Sequence, residues 1–269
     1  MAGASVPNSG RLNTHPFLAG DGPILMAHRG GAAEVHENTW GSLRHIVDLG
    51  VSYVETDVHG TRDGVVVLQH DDALDRTTDT TGLLTARTWA ELGGVRNLDG
   101  EPLVRLEDAL EQFPSLRFNV DAKSDSVVGS LAEMAARHPD RVLVASFSTP
   151  RLLQVRRLAP SVATSLGQGE VVRLCALSRL PLASALRLAG CTKGFRHAVA
   201  VQVPPRYRGF RVITPRLVRL AHALGLAVHA WDSDAAASWE AVLEAGADGI
   251  ITDFPTTARD WLAGRGPWH

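Results

Sequence analysis

Glu55 and Asp57 stand two residues apart in the β-branched run Val54-Glu55-Thr56-Asp57-Val58. Alternate side chains of a strand share a face, so both carboxylates project to one side. Two neighbouring carboxylates repel unless a proton or a cation lies between them. The polar turn ending Arg62-Asp63-Gly64 is too short for a parallel crossover, so Val65-Val66-Val67-Leu68 must return antiparallel. That return brings His70 level with Glu55 or Asp57. A carboxylate pair and an imidazole that titrates near neutral pH therefore converge on one spot.

Further along, Asn119, Asp121 and Lys123 occur at every second position of the run beginning Leu116 and also share a face. Added to Glu55 and Asp57, Asp121 makes an all-oxygen site suited to one hard divalent cation, Mg²⁺ or Ca²⁺. Lys123 and Arg29 supply positive charge for an anionic substrate such as a phosphate. His28 and His70 are the candidate general acid and base.

These residues need a frame that gathers strand ends. Beyond a stretch over 1–22 rich in Gly, Ser, Asn and Pro, read as a flexible arm, apolar runs predict strands over 23–27, 51–58, 116–121, 142–145, 162–166, 198–203, 227–231 and 249–252. Helical spacing falls between them. It covers 39–49, 106–113, 126–137, 150–158, 169–194 with a break at Pro181, 215–224, 235–245 and 256–262. Eight alternating units predict a (β/α)8 TIM barrel over 23–269, whose site lies at the carboxyl ends of the strands. Residues 72–105 interrupt the alternation with several glycines and one short helix near Trp89. They read as a small insertion after the second strand and its hairpin.

The motifs His28-Arg29-Gly30, Glu37-Asn38-Thr39, Glu55-x-Asp57, Thr61-x-Asp63-Gly64, His70-Asp71 and Leu74-x-Arg76-Thr77 resemble those of the glycerophosphodiester phosphodiesterase family. The closing segment Asp248-Gly249-Ile250-Ile251-Thr252-Asp253-Phe254-Pro255 is similar to that family's last strand. The resemblance implies a barrel that uses a metal to cleave a glycerophosphodiester into glycerol 3-phosphate and an alcohol. It implies His28 and His70 as the catalytic pair and Glu55, Asp57 and Asp121 as metal ligands. Arg29 and Lys123 correspond to phosphate contacts, and Trp231 to a wall of the substrate pocket. The chain departs from the family pattern in three places. His36 stands where proline precedes the Glu-Asn-Thr motif, Asp121 where glutamate is usual, and Asp232-Ser233-Asp234 follow the late tryptophan. Carboxylates near the mouth would favour cationic alcohols such as choline or ethanolamine.

A formal net charge of -2 offers no basic footprint and argues against nucleic acid as a partner. Cys175 and Cys191 read as idle thiols rather than a disulfide. Neither a leader nor an apolar run long enough to span a membrane is evident, which leaves a cytoplasmic chain without stable membrane insertion. No feature sets an oligomeric state. Two other readings compete. A lysophospholipase D acting on lipid-like diesters would need an apolar landing surface, for which the insertion offers Leu83, Leu84, Trp89 and Leu92. A barrel that binds phosphate ligands without turnover would be expected to lack one of the two histidines.

Overall fold

A computed structural model describes residues 15–190 and 193–269; residues 1–14 of the expected arm and Cys191 lie outside the described residues. The strands are β1 (Ile24–His28), β2 (Tyr53–Gly60), β3 (Val66–Leu68), β4 (Arg117–Ala122), β5 (Val142–Ala145), β6 (Ala163–Thr164), β7 (Ala200–Val203), β8 (Arg206–Tyr207), β9 (Phe210–Arg211), β10 (Ala227–Ala230) and β11 (Gly249–Thr252). Eight of them run parallel in the order β6-β5-β4-β2-β1-β11-β10-β7. The ring closes between β6 and β7 through a parallel bridge from Ser165 to Ala200, with Val199 N donating to Thr164 O and Leu166 N to Ala200 O. Helices lie between successive strands, so the expected (β/α)8 barrel is what forms. As the turn chemistry required, β3 pairs antiparallel with β2.

Alternation sorts the strands into two cores. Outward residues such as Val54, Phe118, Val120, Val144 and Val228 join the helices in one large apolar layer. Inward residues at the amino ends, among them Ile24, Met26, Tyr53, Leu143, Ala200 and Ile251, plug the barrel floor. On β2 the inward face therefore changes from Tyr53 below to Glu55 and Asp57 above, which places the carboxylates at the mouth.

Phe17 and His269 seal the floor from either side of the barrel sequence. Phe17 is fully buried, meets the Tyr53 ring edge-on, and its carbonyl accepts from Tyr53 Oη at 2.7 Å. Residues 15–22 of the stretch read as a flexible arm thus include a packed plug, because a buried phenylalanine outweighs the polar composition around it. At the other end Leu25 N donates to His269 O at 2.7 Å.

The insertion has its own small core of Leu74, Leu84, Leu92, Val95 and Leu103 around Val67 of β3. Its short helix, Trp89–Leu92, starts from a capping box of Thr88 and Glu91. The helical region after β6 breaks at Pro181 as expected, into Gln168–Leu177 and Leu182–Ala189. Two details depart from expectation. β6 shrinks to two residues. A hairpin, β8–β9, forms where no strand was expected.

Candidate active site

Strand register assembles the site. His28 pairs with Glu55, Glu55 with Asn119, and Asp57 with Asp121 across neighbouring parallel strands. The expected shared face is therefore real, and Asp57 at 1% exposure, Asn119 and Asp121 are all buried. From the β2–β3 pairing, Gln69 N donates to Asp57 O at 2.9 Å, so His70 follows directly beside the carboxylates. Its ring lies within electrostatic reach of both Asp121 and Glu37.

Each histidine rests on its own aspartate. His28 Nδ1 lies 2.7 Å from Asp253 Oδ1, at the end of β11, and His70 Nδ1 lies 2.7 Å from Asp71 Oδ1. With Nδ1–H donated to the carboxylate, Nε2 of each ring is left for chemistry. His28 Nε2 stands 3.7 Å from Glu55 Oε2. Burial alone would lower the His28 pKa, but the negative charges of Glu55 and Asp253 overrule it and push it up to about 9. Burial, reinforced by the Asp57 charge, raises the Glu55 carboxyl, and the charge on His28 opposes that rise. Burial also raises Asp121, against the pull of Lys123.

Two cations neutralise the cluster. Lys123 Nζ bridges Asp57 Oδ1 at 2.9 Å and Asp121 Oδ2 at 2.8 Å. Burial opposes its charge, yet the two carboxylates hold it protonated. Arg29 Nε lies 3.0 Å from Asp57 Oδ2, and its backbone N donates to Glu55 Oε2 at 3.3 Å. Arg29 adopts a left-handed φ of 51° and Asn38 one of 56°, strain that clusters at the mouth. Gly30 follows at φ 83°, and a Cβ there would strike Ser42 at 2.6 Å, so the turn needs glycine. Asn38 binds Asp57 Oδ2 and accepts from Thr56 Oγ1.

A second tier comes from the insertion. Arg76 Nε donates to Asp71 Oδ2 at 2.6 Å, and its two terminal nitrogens form a fork on Glu37 at 3.0 and 2.7 Å. Glu37 in turn accepts from Arg29 Nη1 at 3.3 Å. One guanidinium thereby ties the support of His70 to that of Arg29. Arg76 draws the Asp71 carboxyl down to about 2. Burial would raise Glu37, but Arg76 and Arg29 lower it.

Among the described residues no three His, Cys, Asp or Glu side chains already stand at metal-ligand spacing. Lys123 and Arg29, expected on the phosphate, are instead paired with the carboxylates, because buried anions demand nearby charge. The donor chemistry nevertheless suits a hard cation. The acceptors are all oxygens, they are buried, and Asp121 Oδ1 has no hydrogen-bond partner. The short Asp121 side chain is thus held on one oxygen only, by Lys123.

Trp231 stands at the mouth where expected, edge-on to Phe147 with ring centroids 5.7 Å apart, and Lys123 Nζ lies 5.8 Å from the Phe147 centroid. The two extra acids differ. Asp234 Oδ1 accepts from Thr252 Oγ1 and Asp253 N, so it buttresses the end of β11, whereas Asp232 is exposed at φ 56°. His36 pairs with Asp99 of the insertion at 2.6 Å. The roles of Asp71, Asp253, Glu37, Arg76 and Phe147 were not read from the sequence. All but Phe147 lie in the quoted motifs, and the adjacency of His70 and Asp71 was the available signal.

The profile of a family described as "Glycerophosphoryl diester phosphodiesterase family" matches residues 28–257. A Mycobacterium tuberculosis protein named "Probable glycerophosphodiester phosphodiesterase 2" is 36% identical over 97% of this chain and 98% of its own length. The "Glycerophosphodiester phosphodiesterase" of Caldanaerobacter subterraneus subsp. tengcongensis is 29% identical over 87% of this chain and 95% of its own. Among solved structures, an Oleispira antarctica phosphodiesterase in complex with the product sn-glycerol-3-phosphate superposes with a TM-score of 0.70 at 24% identity. That match covers 90% of this chain and 97% of the other.

Proposed function

This chain belongs to the glycerophosphoryl diester phosphodiesterase family, and from that membership we propose that it hydrolyses a small glycerophosphodiester to glycerol 3-phosphate and an alcohol. The observation that carries the proposal is the pair of histidines, each held through Nδ1 by an aspartate at 2.7 Å, beside one buried carboxylate cluster. The relatives named for this activity and the product held by the Oleispira protein agree with it.

His28, whose Nδ1 is held by Asp253 and whose protonated form that carboxylate favours, is the general acid. It gives its proton to the oxygen of the departing alcohol as the phosphorus–oxygen bond breaks. His70, with Nδ1–H committed to Asp71, offers Nε2 as the base that takes the nucleophile's proton. The nucleophile is water or the substrate's own 2-hydroxyl, and in the second case water opens the resulting cyclic phosphate. Lys123 and Arg29 sit close enough to the cluster to meet the nonbridging phosphate oxygens. Glu55, Asp57 and Asp121 would hold one divalent cation, Mg²⁺ or Ca²⁺, whose chemistry here is to neutralise phosphate charge. Trp231 and Phe147 form an aromatic wall beside exposed Asp232, which favours a cationic alcohol such as choline.

The lipid-diester alternative loses the landing surface looked for in the insertion, since Leu84 and Leu92 are buried in its core. A binding barrel without turnover has no use for two separately supported histidines. Choline release from glycerophosphocholine, with and without a chelator, tests the reading. Release that a chelator abolishes and Mg²⁺ or Ca²⁺ restores is expected. Full release in chelator would remove the metal from the reaction, and no release under any condition would leave a binding barrel.

A further inference from the structure

The small net charge conceals a sharp division. Residues 171–231 contain ten of the chain's 27 Lys and Arg and none of its 29 Asp and Glu. The remaining residues therefore carry all 29 acids against seventeen cations and are strongly acidic. The all-cationic segment occupies one flank of the barrel: most of the helix Gln168–Leu177, the helix Leu182–Ala189, the β8–β9 hairpin and the helix Pro215–Ala223. The three helices pack against one another there.

Between them lies a groove of about 280 Å³. Arg179, Arg216 and Arg219 line it, with Leu180, Leu182 and Leu220. All three arginines are exposed, and none forms an ion pair with an acid among the described residues. Arginine without an acidic partner is usual where an anion is taken from outside. The same flank shows large apolar side chains to solvent: Val172 at 64%, Leu188 at 53%, Tyr207 at 56% and Phe210 at 74%. Tyr207 and Phe210 ride the hairpin, paired across it and flanked by exposed Arg206, Arg208 and Arg211. Interspersed arginine, aromatic and aliphatic groups fit a lipid interface, where rings enter the headgroup layer and guanidinium groups meet phosphates. A nucleic acid would use the charge and leave the aliphatic groups without purpose.

We infer that this flank, from the three-arginine groove to the Tyr207–Phe210 hairpin, docks the protein peripherally on a bilayer containing anionic phospholipid. The inference does not depend on the catalytic reading, because none of these residues belongs to the carboxylate site. It also revises the sequence-level conclusion drawn from net charge: the basic footprint exists and is local.

Flotation of the full chain with vesicles of phosphatidylcholine alone, or with about a quarter phosphatidylglycerol, tests it. The protein should float with the anionic vesicles, stay behind with neutral ones, and be released by high salt. The variant Arg179→Gln/Arg216→Gln/Arg219→Gln should lose at least about tenfold in partitioning, at a few-fold per removed charge. Tyr207→Ser/Phe210→Ser should weaken it independently, and both variants should hydrolyse soluble glycerophosphocholine at the wild-type rate. Four results would overturn the inference: no flotation, equal flotation with neutral vesicles, variants that float like the wild type, or tighter capture of duplex DNA than of anionic vesicles.

Discussion

The two histidines rest on equal 2.7 Å contacts, yet the halves of the site that hold them are built differently. His28 and Asp253 are separated by 225 positions and meet because β1 and β11 are neighbours in the barrel. His70 and Asp71 are adjacent in the chain and sit on the return from β3, where Arg76 of the insertion pins the aspartate. One half is positioned by a sheet with its hydrogen bonds paired on both sides. The other depends on a loop and one guanidinium. Precision in the first is a property of the fold; precision in the second can be removed by a single side chain.

The comparison breaks most sharply if either histidine is removed. His28→Ala and His70→Ala should each lose at least ~10²-fold in turnover with the fold intact, the low end for a positioned acid or base. Steady-state kinetics on glycerophosphocholine beside thermal melts would show it, and near-normal turnover in either variant would undo that residue's role.

Arg76→Ala should come next, at roughly tenfold in kcat, because it frees both Asp71 and Glu37 while touching no substrate. Arg76→Lys should recover only part, since an ammonium cannot keep the fork on Glu37 and the bond to Asp71 together. Partial rescue of the alanine variant by added guanidinium would mark a local clamp rather than a folding defect. An unchanged kcat would show that the loop holds His70 without it.

The halves should also fail at opposite ends of the pH scale. His28 lies at about 9 when folded, above its usual 6.5, so its stabilising contribution is complete below 6.5 and is lost as pH rises through 9. Asp71 lies at about 2, below its usual 3.8, so its contribution is present above 3.8 and is lost as pH falls through 2. In chelator, the melting-temperature gap between wild type and His28→Gln should close toward alkaline pH. The gap to Asp71→Asn should close toward acid. Gaps that stay constant across pH would mean the charges are not what the partners contribute.

The smallest effect is expected at His59. It shares the face of Asp57 but its Nε2 bonds to the His70 carbonyl at 3.1 Å, so it steadies the loop without reaching the reaction. His59→Ala should cost less than His70→Ala by at least about tenfold. Equal losses would promote it from support to participant.

Most of this architecture was legible because strand alternation and helix caps act locally. The pairs Glu55/Asp57 and Asn119/Asp121 could be put on one face from spacing alone, and Thr39, a residue type favoured at helix starts, caps the helix Trp40–Asp48. What could not be read depends on distance or on mixed signals. Phe17 fills the floor only once Tyr53 is in place, which no local pattern states. The Arg206–Arg211 hairpin has a glycine turn but too few residues for a strand period to register. Pairing of Lys123 and Arg29 with carboxylates, rather than with a substrate, follows from burial that the sequence does not specify. The cationic flank was hidden by averaging charge over the whole chain.

The assignment of His28 as acid and His70 as base is tested most directly by changing the leaving group. From a nitrophenyl glycerophosphodiester the nitrophenolate departs without needing a proton, whereas the choline alkoxide of glycerophosphocholine needs one. If His28 is the acid, His28→Ala should hydrolyse the nitrophenyl diester at close to the wild-type rate while remaining deeply impaired on glycerophosphocholine, and His70→Ala should be impaired on both. Selective recovery of His70→Ala, or equal losses for both variants on both substrates, would contradict the account.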